Sequence, residues 1–337
     1  MDYSFLGRSG LRVSEVCLGT MAFGISVDES AAKAIVDTAF SCGVNFMDTA
    51  NTYAGGLSEE MLGKALVGRR EGVVIATKFT NPAGKGPNDS GMSRKHILQA
   101  VEDSLKRLRT DYIDIYYIHH VETRAPLDEA LRTLDDLVTQ GKVRYLAVSN
   151  YEAWRLSETI WTCDTKGYAP IICYQPQYSL VVRDIEDELV PLCRYKNVGI
   201  VPWGPLASGF LTGKYKPGQR SVEGSRSAEG WLFHDRFFSP KADEALAELL
   251  KVSEETGKTA TQVSLRWALQ KPGITSVIAG ARRPEQFKDS CGASGWSLSD
   301  DQMKRLDKAS QLPARYPYSM EGGSDARRDA AIDMPSL

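Results

Sequence analysis

Eight short apolar runs punctuate the chain, with longer amphipathic segments between them. They are EVCLG (15–19), NFMD (45–48), VVIATK (73–78), YIDIYYIHH (112–120), YLAVSN (145–150), IICYQ (171–175), GIVPWG (199–204) and SVIAG (276–280). Runs this short and apolar read as buried strands. The segments between them carry the helical period. In SRKHILQAVEDSLKRL (93–108), Ile97, Leu98, Val101, Leu105 and Leu108 share one face, and Ser93 is placed to cap it. Gly141 sits just past a second helix that ends near Gln140. Strands alternating with helices need crossover connections and therefore a parallel sheet. Eight such units fit a closed (β/α)8 barrel better than an open doubly wound sheet, and closure leaves no strand edge exposed.

Barrels of this kind often exceed about 250 residues as one domain. The 337 residues therefore read as a single domain, 1–337, with a core of about 3–310 and a tail of 312–337. Gly7 and Gly10 mark a turn in the first 14 residues, which read as a hairpin capping the barrel bottom. Residues 204–240 form a long Gly/Ser/Pro-rich connection, and loops of that length in a compact domain are often functional. The Pro-, Gly- and charge-rich tail is expected to wrap the surface loosely.

A formal net charge of -2 leaves no basic excess to neutralise phosphates, which argues against nucleic acid or acidic membranes as partners. Arg282–Arg283 and Arg327–Arg328 are too small as clusters to alter that. The six cysteines (Cys17, Cys42, Cys163, Cys173, Cys193, Cys291) show no CxxC spacing, so neither a zinc site nor a disulfide framework is expected. The opening MDYSFLGRSG lacks a signal pattern, and no window approaches a membrane-spanning apolar length. The expectation is a reduced, cytoplasmic, enzyme-sized protein.

Polar residues interrupt the apolar runs at their carboxyl ends. Asp48 ends the second run, Lys78 the third and His119 the fourth, and Tyr53 follows Asp48 in a short loop. Singly, each has a bland reading: a turn Asp, a solvated Lys, a structural His. Together they stand at three consecutive strand ends, where such barrels place their catalytic groups.

The stretches DTANTYAGGLSEEMLGKAL, VVIATK, DYIDIYYIHH, GKVRYLAVSNY, YQPQYSLVVRD and VPWGPLASGFLTGKY resemble the aldo-keto reductase family, in order and spacing, across roughly residues 3–310. The resemblance implies a (β/α)8 barrel that reduces an aldehyde or ketone to an alcohol with NADPH, and a catalytic tetrad of Asp48, Tyr53, Lys78 and His119. Hydride arriving at a carbonyl carbon leaves negative charge on oxygen, so a proton donor must stand beside it. A phenol is a weak acid, with an ordinary pKa of about 10. An ammonium roughly 4 Å away is expected to lower that by about three units at an effective dielectric near 20. Lys78 is the candidate ammonium, Asp48 its partner, and His119 the group that orients the substrate oxygen.

No G-x-G-x-x-G follows the first strand, so a Rossmann reading has no footing. By resemblance, Ser149, Asn150 and Gln175 hold the nicotinamide amide and Trp203 stacks on the ring. Gly19, Thr20, Met21 and Asp48 complete that end. Gly204, Pro205, Leu206, Gly209, Leu211 and Lys214 match a pyrophosphate loop whose small residues admit backbone N–H groups. Ser225 and Arg226 match a segment that folds over the cofactor. Gly280, Arg282, Gln286, Asp289 and Ser290 match the adenosine-phosphate segment, where the Arg282 guanidinium suits a 2′-phosphate and hence NADPH over NADH. Ser290 stands where relatives commonly carry Asn.

The resemblance places Met21, Phe23, Tyr53, Phe79, His119 and His120 around the substrate. His120 reads either as a polar pocket wall suited to a hydroxylated or cyclic ketone or as a residue packed at the rim. Trp231 and Phe233, on the long loop, read either as an apolar lid or as surface packing. A second reading keeps the scaffold and cofactor but makes the protein a slow-turnover regulatory subunit, as in channel-associated relatives. A metal-dependent hydrolase is a poor fit. Only four histidines are present, and His119 and His120 would face opposite ways on a strand.

Overall fold

The eight apolar runs form eight parallel strands of one sheet that curls until its two ends meet. The computed structural model describes residues 1–223 and 235–320. A short antiparallel hairpin, β1 (Tyr3–Phe5) and β2 (Arg12–Ser14), precedes the barrel. The barrel strands are β3 (Val16–Gly19), β4 (Phe46–Asp48), β5 (Val74–Phe79), β6 (Ile113–Ile118), β7 (Val143–Ser149), β8 (Ile171–Gln175), β9 (Gly199–Ile200) and β10 (Val277–Gly280). Neighbours in sequence are neighbours in the sheet, and β10 returns to lie against β3. The seam between β9 and β10 closes through backbone bonds. Ile200 N donates to Gly273 O (3.2 Å), Thr275 N to Ile200 O (2.8 Å) and Ile278 N to Pro202 O (3.0 Å).

The crossovers are helical: α1 (Glu29–Ser41), α2 (Leu57–Ala65), α3 (Arg94–Leu108), α4 (Leu127–Thr139), α5 (Ala153–Lys166) and α6 (Leu189–Lys196). After the long loop come α7 (Pro240–Thr256), α8 (Ala260–Leu269), α9 (Pro284–Cys291) and α10 (Asp300–Ser310). Their ends carry the expected chemistry. Ser93 accepts from His96 N at the start of α3, and Thr259 with Gln262 forms a reciprocal capping box on α8. Gly141, at φ +75°, follows α4.

Two apolar regions hold this together. The larger lies between strands and helices; Ile97, Val101 and Leu105 of α3 belong to it. The smaller fills the barrel interior with Cys17, Phe46, Val74, Ile115, Ile172, Cys173 and Val201, and the hairpin contributes Leu6 and Val13. The hairpin thus plugs the end of the barrel where the strands begin. Gly7 is required there: its φ is +55°, and a Cβ would lie 2.3 Å from Ile172 O.

The loop after β9 contains a 3-10 segment at Ala207–Thr212 and another at Asp235–Phe238 before α7. Ser225, Arg226, Trp231 and Phe233 lie outside the described residues. The described part of the tail is pinned rather than loose. Arg315 pairs with Asp184 at 2.5 Å, and Tyr318 OH donates to Glu188 at 2.9 Å.

Candidate active site

The strands end in a cavity of about 730 Å³ at the carboxyl end of the barrel, within the usual range of ligand pockets. Beneath it Asp48, the last residue of β4, and Lys78, the last but one of β5, form a buried ion pair. Lys78 Nζ also donates to Thr49 O (2.7 Å) and approaches Tyr53 OH at 3.4 Å. Gln175 Nε2 donates to the other Asp48 oxygen at 2.8 Å. The ammonium thus has three oxygen partners and each carboxylate oxygen has a donor, which helps a buried pair to offset its desolvation. Burial disfavours the charged lysine, but Asp48 and then Tyr53 more than restore it, leaving the Lys78 pKa above the ordinary lysine value.

Tyr53 sits in a turn where Ala54, Gly55 and Gly56 all take positive φ, which swings the phenol back over Lys78. Its pKa corrects the expectation of a lowered value. Burial raises it, and this outweighs the lowering by Lys78, so the phenol stands above its ordinary value. Its proton is therefore held firmly in the free protein.

His119 lies just past β6 and packs edge-on to Tyr53, ring centroids 5.9 Å apart. Burial first, then the charges of Lys78 and His120, push its pKa down to about 2, so the ring is neutral. His119 and His120 do not face opposite ways. Because β6 ends at Ile118, strand alternation no longer applies, and the two rings stack 4.7 Å apart at 13°. Both line the cavity.

One asparagine ties the next part together. Asn150, at φ +57°, donates to His119 O (3.1 Å) and Ser149 Oγ (2.9 Å), and accepts from Trp203 Nε1 (3.0 Å). Ser149 Oγ in turn donates to Gln175 O at 2.8 Å.

The cavity brings together Gly19, Thr20, Met21, Asp48, Tyr53, His119, His120, Ser149, Asn150, Gln175 and Trp203 at one end. Gly204, Pro205, Leu206, Gly209 and Lys214 line its middle, and Gly280, Arg282, Gln286, Asp289 and Ser290 its far end. Four expected residues do not line it: Lys78 is fully buried beneath the cavity, behind Asp48 and Tyr53, and three others lie in the core. Phe23 and Phe79 are 0% exposed in the layer between strands and helices, and Phe79 stacks on Tyr116 with centroids 4.9 Å apart. Since β5 continues through Phe79, alternation turns it away from the side that Lys78 faces. Leu211 is likewise buried in the core. Ser208, within the stretch Gly204 to Leu211 matched to the pyrophosphate loop, also lines the cavity, as do Asn81, Gln177, Thr212, Phe237 and Thr261, which the sequence reading does not assign. Of these only Asn81 carried a local signal, the Asn–Pro turn just beyond Lys78.

The residue types along the cavity would suit a dinucleotide cofactor. Gly204 (φ +68°) and Gly209 (φ +97°) open the middle of the cavity, and a Cβ on Gly209 would come within 3.0 Å of Lys214 Nζ. At the far end, Gln286 Oε1 accepts from Arg282 N at 2.9 Å, tying the segment after β10 to α9. Asp289 is engaged by Thr259 Oγ1 and Gln262 Nε2, both at 2.9 Å, so it joins α9 to the cap of α8.

A closed (β/α)8 barrel with this polar cluster at its carboxyl end is built as enzymes of this fold are, with reactive groups gathered at the strand ends. The chain belongs to the aldo/keto reductase family, whose model matches residues 15–311. It is 38% identical over 317 residues to the "Uncharacterized oxidoreductase YrpG" of Bacillus subtilis, covering 91% of this chain and 95% of that protein. It is 35% identical over 299 residues to a "Probable voltage-gated potassium channel subunit beta" of Arabidopsis thaliana, covering 87% and 91%. A "Putative voltage-gated potassium channel subunit beta" of Schizosaccharomyces pombe is 33% identical over 321 residues, covering 91% and 93%.

Proposed function

We propose that the protein reduces the carbonyl of an aldehyde or ketone to an alcohol, using NADPH bound along the cavity. The observation that carries this reading is the buried Asp48–Lys78 pair with the Tyr53 hydroxyl 3.4 Å from the ammonium. When bound, NADPH supplies the hydride. Tyr53 delivers its proton to the carbonyl oxygen as negative charge develops there, and Lys78 stabilises the phenolate left behind. Asp48 and Thr49 O fix the ammonium so that none of this needs rearrangement. Neutral His119 donates a hydrogen bond to the same oxygen and so orients it. Ser149, Asn150, Gln175 and Trp203 position the nicotinamide; the loop from Gly204 to Lys214 and Arg282 hold the phosphates. Met21, 39% exposed at the cavity wall, and His120 contact the substrate.

The test is NADPH oxidation across aldehydes, α-dicarbonyls, keto-sugars and bulky cyclic ketones, alongside parallel binding titrations with NADPH and NADH. Turnover of at least one class with NADPH preferred supports the reading; binding without turnover on any class defeats it. The channel-subunit relatives favour a second reading, a regulatory protein that binds NADPH and turns over slowly. The rate on an activated aldehyde separates the two. Free thiols at all six cysteines suit a reduced, cytoplasmic setting.

A further inference from the structure

Asn81 Nδ2 lies 3.2 Å from His119 Nδ1. A carboxamide nitrogen only donates, so the histidine nitrogen facing it must be unprotonated. We infer that Asn81 is a positioning residue that holds His119 as the tautomer with its proton on Nε2. This deepens the reductase reading, on which its catalytic consequence rests.

Asn81 is itself held. The preceding Thr80 has φ +103°, an outlier for a β-branched residue, and its hydroxyl is buried without a partner. Backbone strain of this sort persists only where the surroundings impose it. Here Gly91 N donates to Thr80 O at 2.7 Å and fixes the turn. On the other side Pro82 disfavours helical backbone at Asn81. The amide is thus delivered to the ring by a stiff Thr–Asn–Pro corner rather than by a mobile loop residue. His119 is neutral in this environment, so its single N–H is all it can donate. With the Nδ1 lone pair committed to Asn81, that N–H is Nε2–H, the donor the substrate oxygen would meet. In the other tautomer the ring would offer that oxygen a lone pair instead.

Nitrogen-15 NMR on the ligand-free protein tests this directly. Four histidines are present, and a His119→Ala variant identifies the resonances of that ring. Wild-type His119 is expected to show an unprotonated Nδ1 and a protonated Nε2. Asn81→Asp, whose side chain only accepts, is expected to move a proton onto Nδ1. The same variant should lower kcat for carbonyl reduction by at least about tenfold, the scale of one charged-state hydrogen bond, with NADPH affinity unchanged. A protonated Nδ1 in the wild type overturns the inference without any variant needing to fold. So does an Asn81→Asp spectrum in which Nδ1 stays unprotonated. Because the spectra need neither cofactor nor substrate, an inactive wild type with the expected tautomer would sink the reductase reading and leave the assignment of Asn81 standing.

Discussion

The two ends of the barrel are built from the same eight strands and put to opposite uses. At the end where strands begin, the interior is apolar and closed: Leu6 and Val13 of the hairpin reach into a cluster with Phe46, Ile115 and Ile172. At the carboxyl end, the positions just above hold Asp48, Ser149, Gln175 and His119 around an open cavity, with Lys78 buried beneath them. Packing like that of the plug is stabilising for every atom it removes from water. Burying an ammonium and a carboxylate stabilises little by itself and is tolerated only with every partner in place. One end of the molecule therefore sets how well it folds, and the other what it can do.

The largest effect is expected where the two properties collide. Lys78→Met leaves Asp48 buried without its counter-charge and should destabilise the protein by about 3–5 kcal/mol. Adding Asp48→Asn should recover most of that loss without restoring activity. Urea unfolding of the single and double variants decides; a single-variant loss below about 1 kcal/mol would mean the pair is solvated like a surface ion pair.

Leu6→Ala probes the opposite end. Leu6 is fully buried in the plug, so truncation should cost about 3 kcal/mol through lost burial and a residual cavity. Its kcat should stay that of the wild type in steady-state assays on a shared carbonyl substrate. A fall in kcat with little change in stability would show that the plug shapes the mouth, and the division between the ends would fail.

Tyr53→Phe is the mirror image. It should lower kcat at least about a hundredfold, within the range for losing a general acid, while the unfolding midpoint and NADPH affinity barely move. Wild-type-like turnover would remove Tyr53 from the proposed role.

The smallest effect is in the pH dependence between about pH 7 and about pH 5.5. Folding depresses the His119 pKa to about 2, against about 6.5 in an unfolded chain. On acidification the unfolded chain takes up that proton first. Stability should therefore fall below about pH 6.5, by roughly 1.4 kcal/mol per unit for this one group, until the folded ring protonates. His119→Gln should flatten that part of the curve when unfolding is measured at about pH 7 and about pH 5.5. Parallel curves for the two proteins would show that the ring is not held neutral.

The sequence made one of these ends far more legible than the other. Each barrel strand falls within or beside an apolar run, because burial on both faces writes a continuous signal. Asp48, Lys78 and His119 were readable because each is a polar residue at the end of such a run, whereas Ser149 and Gln175 came only from the family resemblance. Phe79 was misplaced by one step of alternation, since β5 runs one residue further than the apolar reading suggested. Asn81, Gln177 and Thr261 come from turns and a helix start, whose direction depends on local angles such as the +103° at Thr80 that no periodicity encodes. The raised Tyr53 pKa escaped for another reason: a pairwise charge estimate sees Lys78 but not the burial that outweighs it.

The closing pair of strands carries a consequence for synthesis. Val277 pairs with Val16, so the barrel's first strand has no partner on one side until almost the whole chain has been made. A nascent chain that has already assembled β3 through β8 still presents the free edge of β3, a template for pairing with another chain. On a ribosome adding about 5–20 residues per second, that edge stays open for roughly ten seconds or more. The hairpin does not cover it, because β1 and β2 form a separate two-stranded sheet. That exposure falls during translation and ends only when Val277–Gly280 emerges to shut the ring.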